Sequence, residues 1–250
     1  MAKSKQTSSS KGTSAPKDLK EHIFYGLSLD EEQEEFRDAI WNPDKSIIFA
    51  NARAGTGKTT IALGTANLLY EYGLYEGVVY IVAPTQEQKQ GYLPGGTEEK
   101  SAPYMEPLYE AIVSINQDPY RVIVSDDNLQ AKKNGTAFIR CMPHTFLRGT
   151  NFERQVVIID EAQNFYLSEL KKTLTRMHDS CKVIVIGHTG QMDLYRHPEN
   201  SGFAAAIELF RQEEDDRVAI CTLTHNHRGW ISTVADRLDT EIGGAKEWKN

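Results

Sequence analysis

Gly57-Lys58-Thr59-Thr60, closing the loop that begins at Ala52-Arg53-Ala54-Gly55-Thr56, are residues of the types that hold a nucleoside phosphate. Backbone N–H groups along Ala54, Gly55, Thr56, Gly57 and Thr60, at the start of a helix, face an anion, and glycines let the main chain approach it closely. Lys58 supplies a positive charge for the β- and γ-phosphates of ATP, and the Thr59 hydroxyl is a hard oxygen ligand for Mg²⁺. A second group, Asp160-Glu161, follows the apolar run Val156-Val157-Ile158-Ile159. Placed opposite Thr59, Asp160 can hold Mg²⁺ through water, and Glu161 can act as a general base on a water attacking the γ-phosphate. Gln191, just beyond another apolar run, is suited to sense the γ-phosphate, and Arg228 follows the last such run. Together these residues could do phosphoryl transfer to water.

These side chains must be brought together by a sheet. Ile47 to Ala50 reads as a buried strand, and Ile61, Leu63, Leu68 and Leu69 as the helix after the loop. The phosphate-loop pattern G-x-x-x-x-G-K-[ST] starts with glycine where this chain has Ala52, so the loop keeps its shape provided residue 52 does not need positive φ. Val78 to Ala83 is the next strand, and strand-helix-strand order implies a right-handed crossover and a parallel sheet. Carboxyl ends of parallel strands are where ligands bind, which puts Asp160 and Glu161 in the right place. Upstream, Ser28 and Glu31 form a capping box opening an amphipathic helix with Phe36 and Ile40 on one face and Gln33 near its start. Gln86 to Pro103 is a long loop; Tyr104, Leu108, Ala111 and Ile112 follow at helical spacing. Arg121–Val124 and Thr136–Cys141 are each a possible short strand, with a polar excursion between them. Lys182 to Gly187 is a strand leading to His188, then come a helix near Phe203 to Phe210 and a strand from Val218 to Leu223.

With 250 residues, 25% charged and 40% apolar, the composition is that of a globular protein with a substantial core. Residues 1–17 are rich in Ser, Thr and Lys and are expected to be a disordered tail, with 18–250 as a single domain. No apolar run is long enough for a membrane span and the start lacks a signal-peptide block, so the expected location is the cytoplasm. Cys141, Cys181 and Cys221 sit in or beside apolar runs and read as reduced packing residues. A net charge of −7 argues against coating of nucleic acid by the whole surface but leaves room for a local basic strip.

In this order Gln33, the phosphate loop, Asp160-Glu161-Ala162-Gln163, Gln191 and Arg228 resemble the PhoH family of P-loop ATPases, itself similar to the first motor domain of superfamily-one helicases. Gly91-Tyr92-Leu93-Pro94-Gly95, Glu98-Glu99-Lys100, Pro103-Tyr104, Pro107-Leu108-Tyr109, Phe146-Leu147-Arg148-Gly149 and Leu174-Thr175-Arg176 extend the likeness over about residues 28–230. The size is similar to that of PhoH-like proteins of tailed bacteriophages, which would make the location the host cytoplasm. The resemblance implies an α/β, RecA-like P-loop NTPase with a mostly parallel central sheet flanked by helices. It also implies that Gln33 contacts adenine, Lys58 the phosphates, Thr59 and Asp160 the Mg²⁺, that Glu161 activates water, and that Gln191 couples γ-phosphate state to nearby loops. The chain departs from the family at Ala52 and at His188, where the Gly-Asp-x-x-Gln pattern has aspartate.

The expected function is Mg²⁺-dependent ATP hydrolysis coupled to RNA or single-stranded DNA. Lys89, Lys100, Lys132, Lys133, Arg148, Lys171 and Lys172 offer charge, and Tyr92 and Tyr104 offer stacking. Helicases of this kind close ATP between two motor domains, and only 22 residues follow Arg228. Lack of an arginine finger can slow a P-loop enzyme by about 10³ to 10⁵. A ring homo-oligomer, a hexamer by preference, is therefore expected, with Arg228 or Arg148 completing a neighbour's site. Some relatives carry a PIN-type nuclease domain, and about 45 residues before the first strand are too few for one, so no nuclease activity is expected. The alternatives are a nucleotide-dependent scaffold or regulator indifferent to nucleic acid, and a small-molecule P-loop kinase, which the water-activating glutamate disfavours.

Overall fold

The computed structural model describes residues 14–83, 105–125, 129–147, 149–189 and 201–235. Six strands, β1 (Ile47–Ala52), β2 (Gly77–Val82), β3 (Ile139–Pro143), β4 (Gln155–Asp160), β5 (Lys182–Gly187) and β6 (Val218–Leu223), form one sheet in the order β3-β2-β4-β5-β1-β6. Every pairing is parallel. The expected α/β architecture, a parallel central sheet flanked by helices, is the one observed. β2 and β5 are buried along their whole length, as strands covered on both faces must be.

Alternation along the strands divides the core in two. Ile48, Ala50, Val78, Tyr80, Val156, Ile158, Ile184 and Ile186 point to one face. There they meet helix α1 (Glu31–Trp41), helix α2 (Lys58–Glu71) and helix α3 (Glu106–Ser114). Phe49, Val79, Ile81, Val157, Ile159, Val183 and Val185 point to the other, beneath the helices Leu167–Leu174 and Gly202–Gln212. The period-two pattern thus decides which helices each strand residue touches.

Several expectations are corrected. The first helix is capped by Asp30, not Ser28: Asp30 Oδ1 accepts from Gln33 N at 2.8 Å, and Gln33 Oε1 accepts from Asp30 N at 3.1 Å. The box moves two residues on because Gln33 is buried and can reach both the cap and the phosphate loop. Arg121–Val124 is not a strand; Pro119–Val122 is a helical turn, started by a proline and by the Asp118 side chain accepting from Tyr120 N, and Ile123 alone bridges to Ile139. The second short segment is a strand, shifted to Ile139–Pro143, and the polar excursion before it contains the helical turn Leu129–Lys133. Of the stretch read as a tail, Pro16 accepts a bond from the Trp41 indole N–H at 3.1 Å, and Ala15 packs on the core. The loop 86–103, with Tyr92, and also Tyr104, Arg148 and Gln191, lie outside the described residues.

One buried charge stands at the amino end of the sheet. Lys182 is 1% exposed and its Nζ donates to the Asn42 carbonyl. Burial pushes its ammonium from the ordinary 10.5 down to about 8, with Asp44 opposing. The unfolded chain therefore binds more protons than the folded one between those values, and stability contributed by this group rises with pH across that window. Urea denaturation should show wild type gaining on Lys182→Met from pH 8 to 10, with a slope approaching about 1.4 kcal/mol per pH unit. A pH-independent difference would count against a desolvated ammonium.

Candidate nucleotide site

The loop after β1 takes its shape from two glycines. Gly55 and Gly57 both have φ +74°, the left-handed region, and Gly57 is the N-cap of α2. A Cβ at Gly55 would stand 2.6 Å from Asn226 Oδ1 and 3.1 Å from Arg228 Cγ, and one at Gly57 would stand 3.0 Å from Gln33 Nε2. Ala52 is the last residue of β1, in register with Leu223, so the first loop position is extended and needs no glycine. The departure at Ala52 leaves the loop intact. Thr56 ties the turn to itself by donating to Arg53 O at 3.0 Å.

Two segments hold this loop from outside. Gln33 Nε2 donates to Thr56 O at 2.9 Å, and His227 N donates to Gly55 O at 2.8 Å. The Glu32 carboxylate accepts from Thr224 Oγ1 at 2.7 Å and from His225 N at 3.2 Å, which joins the start of α1 to the chain beyond β6.

Asp160 ends β4, fully buried. Its Oδ2 accepts from Thr59 Oγ1 at 2.8 Å and from Tyr80 OH at 2.7 Å, and its Oδ1 from Glu161 N at 2.8 Å. Burial pushes this carboxyl above its ordinary value, and the neighbouring Glu161 charge adds to that; Lys58, Tyr80 and Thr59 oppose it. The Tyr80 phenol is likewise pushed well up, by burial first and then by the Asp160 charge. A desolvated carboxylate beside a hydroxyl is a donor pair that a hard divalent cation would satisfy, and the left-handed Gly55 and Gly57 lead the chain into the N-terminus of α2, whose backbone N–H groups suit an anion. The residues therefore fit a nucleotide with its cation.

Glu161 sits at φ +50° with its side chain 40% exposed and Oε1 3.5 Å from Lys58 Nζ. Gln163 Nε2 donates to Glu161 Oε2, while Gln163 Oε1 accepts from His188 N at 3.1 Å. At Gly187 a Cβ would fall 2.9 Å from Gln163 Oε1. The carboxyl ends of β4 and β5 are thus linked through one amide side chain. Asn51 makes a parallel link from β1, its Oδ1 accepting from Thr189 N at 3.1 Å.

Of the residues singled out in the sequence, Gln33, the loop 54–60, Asp160, Glu161 and Arg228 come together at the carboxyl ends of β1 and β4. Arg228 lies at the phosphate loop of its own chain. Tyr80, Asn51 and Asn226 were missed, and Gln163, though part of the quoted motif, was given no role. The available signal was a lone polar group in an apolar strand for Tyr80 and Asn51, and for Gln163 its position two residues after Glu161.

A parallel α/β sheet with this loop and an acidic β4 terminus is a P-loop nucleotide-binding domain. The family profile described as "PhoH-like protein" matches residues 28–233. The chain belongs to the PhoH family. It is 34% identical over 195 residues to Protein PhoH of Escherichia coli (strain K12), covering 78% of this chain and 52% of that one. It is 31% identical over 212 residues to the PhoH-like protein of Mycobacterium tuberculosis (strain ATCC 25618 / H37Rv), covering 84% and 54%. The chain thus spans about half the length of these curated relatives. Among solved structures, the HK97 bacteriophage large terminase aligns with TM-score 0.47 and 12% identity over 89% of this chain and 45% of that one. The Pif1 helicase from Candida albicans aligns with TM-score 0.39 and 18% identity over 84% and 43%.

Tyr80→Phe keeps the core volume and removes one of the bonds that orient Asp160. It is expected to weaken the Mg²⁺ dependence of fluorescent-ATP binding by about 10- to 100-fold, the usual effect of losing such a support. Unchanged Mg²⁺ dependence would speak against Asp160 as the cation's carboxylate.

Proposed function

We propose that this chain binds ATP with Mg²⁺ and hydrolyses it, and that turnover is coupled to RNA or single-stranded DNA. The observation that carries the reading is the meeting of Thr59 Oγ1 and Asp160 Oδ2 at 2.8 Å, with Glu161 on the same β4 terminus facing Lys58 at 3.5 Å. The Mg²⁺, when bound, would neutralise charge developing on the β- and γ-phosphate oxygens. Lys58 and the N–H groups of the loop 54–60 orient the phosphates. Glu161, exposed enough to meet water, takes the proton from the attacking water through Oε1, the oxygen that faces Lys58 at 3.5 Å, while Gln163 holds Oε2.

Because Gln163 also binds the His188 backbone, a change at Glu161 on hydrolysis has a direct route to the segment after β5, where Gln191 follows. Gln191 remains our choice for γ-phosphate sensing. Gln33 supports the Thr56 carbonyl and stands at the loop's edge, consistent with an adenine-side role. For the nucleic-acid partner, support comes from the resemblance and from the exposed Lys171, Lys172 and Lys133. Arg228, adjacent to its own loop, is suited to act within its own subunit. An arginine supplied by a neighbouring copy in a ring would then be another, with Arg148 the candidate.

Steady-state phosphate release with Mg²⁺, for wild type and Glu161→Gln, each with and without single-stranded RNA and DNA, tests the reading. Wild type should release phosphate without an added acceptor, faster with one polymer, and Glu161→Gln should be at least ~100-fold slower. Glutamate-dependent turnover blind to both polymers would keep the hydrolase and remove the coupling. Light scattering with and without ATP reports assembly, and a monomer at full activity would exclude the ring.

A further inference from the structure

We infer that Asp30, His225 and His227 form a binding site for a transition-metal dication, Zn²⁺ in the first instance, which ties the start of α1 to the segment beyond β6. One ligand atom from each residue lies within 4.8 Å of the other two. His227 Nε2 is 2.9 Å from Asp30 Oδ2, and the two imidazole rings are 4.6 Å apart between centroids, inclined at 54°. The direct His227–Asp30 pair accounts for two of these groups. It does not account for the second imidazole brought to the same spot.

The surroundings support the three ligands as a built group. Asp30 Oδ1 is occupied by Gln33 N, which fixes the carboxylate and turns Oδ2 outward to the histidines. His225 N is held by Glu32, and His227 N by the Gly55 carbonyl, so both histidine backbones are anchored while their rings stay exposed. Groups that orient ligands in this way are a regular part of metal sites. Asp30 and Glu32 place two negative charges where a dication would add two positive ones.

The donor set selects the metal. Two imidazoles and one carboxylate suit Zn²⁺, Co²⁺, Ni²⁺ or Cu²⁺, whereas Mg²⁺ and Ca²⁺ prefer oxygen alone. Ligands of tetrahedral zinc at ~2.0 to 2.1 Å from the ion stand about 3.3 Å from one another, and these atoms already lie within 4.8 Å of one another. The exposure leaves a fourth position open to water. Both anchors of this site end on the phosphate loop, through Gln33 to Thr56 and through His227 to Gly55. Metal occupancy would therefore stiffen the loop that α1 and the post-β6 segment already hold.

The test uses the untagged full chain without nucleotide, titrated with Co²⁺ in excess Mg²⁺ and followed by visible ligand-field absorption, then by Zn²⁺ displacement and Zn²⁺-dependent melting temperature. One Co²⁺ per chain, displaced by Zn²⁺, is expected. His225→Ala and His227→Ala should each weaken binding by ~10-fold or more. Asp30→Asn keeps an equally good helix cap while removing the carboxylate, and should weaken binding as well even if a histidine variant fails to fold. His178→Ala, at an exposed histidine elsewhere, should bind as wild type does. No Co²⁺ spectrum and no Zn²⁺ stabilisation in wild type would overturn the site, as would spectra unchanged in folded His225→Ala, His227→Ala and Asp30→Asn. Because no step uses nucleotide, failure here is separable from failure of the ATPase reading.

Discussion

The buried Asp160 carboxylate is the constraint around which the rest of this structure is arranged. A negative charge at full burial is costly unless every oxygen finds donors or a cation. Here the donors come from three separate elements: Thr59 at the start of α2, Tyr80 on β2, and the backbone of Glu161 beyond β4. Those bonds require β2 and β4 to be neighbours, in the register that pairs Val82 with Asp160. The left-handed turn at Glu161 reverses the chain immediately afterwards, keeping the second carboxylate out of the core and opposite Lys58.

The phosphate loop has a comparable dependence on distant chain. Its two left-handed glycines permit the turn but do not hold it. Holding is done by Gln33 from α1 and by His227 from beyond β6, two segments joined to each other through Glu32 and Asp30. The closeness of Asn226 and Arg228 to Gly55 explains why that position excludes a side chain even apart from its φ. A local motif is thus clamped between the first helix and the last strand's continuation, and events at either could alter nucleotide affinity without touching the nucleotide.

The sheet order has a chemical consequence as well. β5 lies between β1 and β4, so the loop after β5 emerges between the phosphate loop and the Asp160-Glu161 turn. Asn51 reaches that loop from one side and Gln163 from the other. The His188 backbone N–H takes part in this link, a contact that aspartate at the same position would also make. Among the described residues no helix is long and apolar enough to cross a membrane.

Much of the fold follows from local pattern. Runs of β-branched residues define β1, β2, β4 and β5 because only fully covered parallel strands tolerate such continuous apolarity, and Gly57-Lys58-Thr59 declares its chemistry through spacing alone. Asp160 and Glu161 are equally legible, since they end such a run. The elements that were misread are those whose structure depends on partners remote in sequence. Asp30 displaces Ser28 as cap because Gln33 is drawn to Thr56, and Ile123 forms a bridge but no strand because a capped proline turn precedes it. Tyr80 reaches Asp160 and Gln163 reaches the His188 backbone only across neighbouring strands, and no periodicity records that. The same holds for Asp30 with His225 and His227, which are some 195 residues apart and become neighbours only when β6 pairs with β1. Spacing along the chain can specify a turn, a strand or a loop that binds phosphate; which side chains then share a bond is decided by strand order and register.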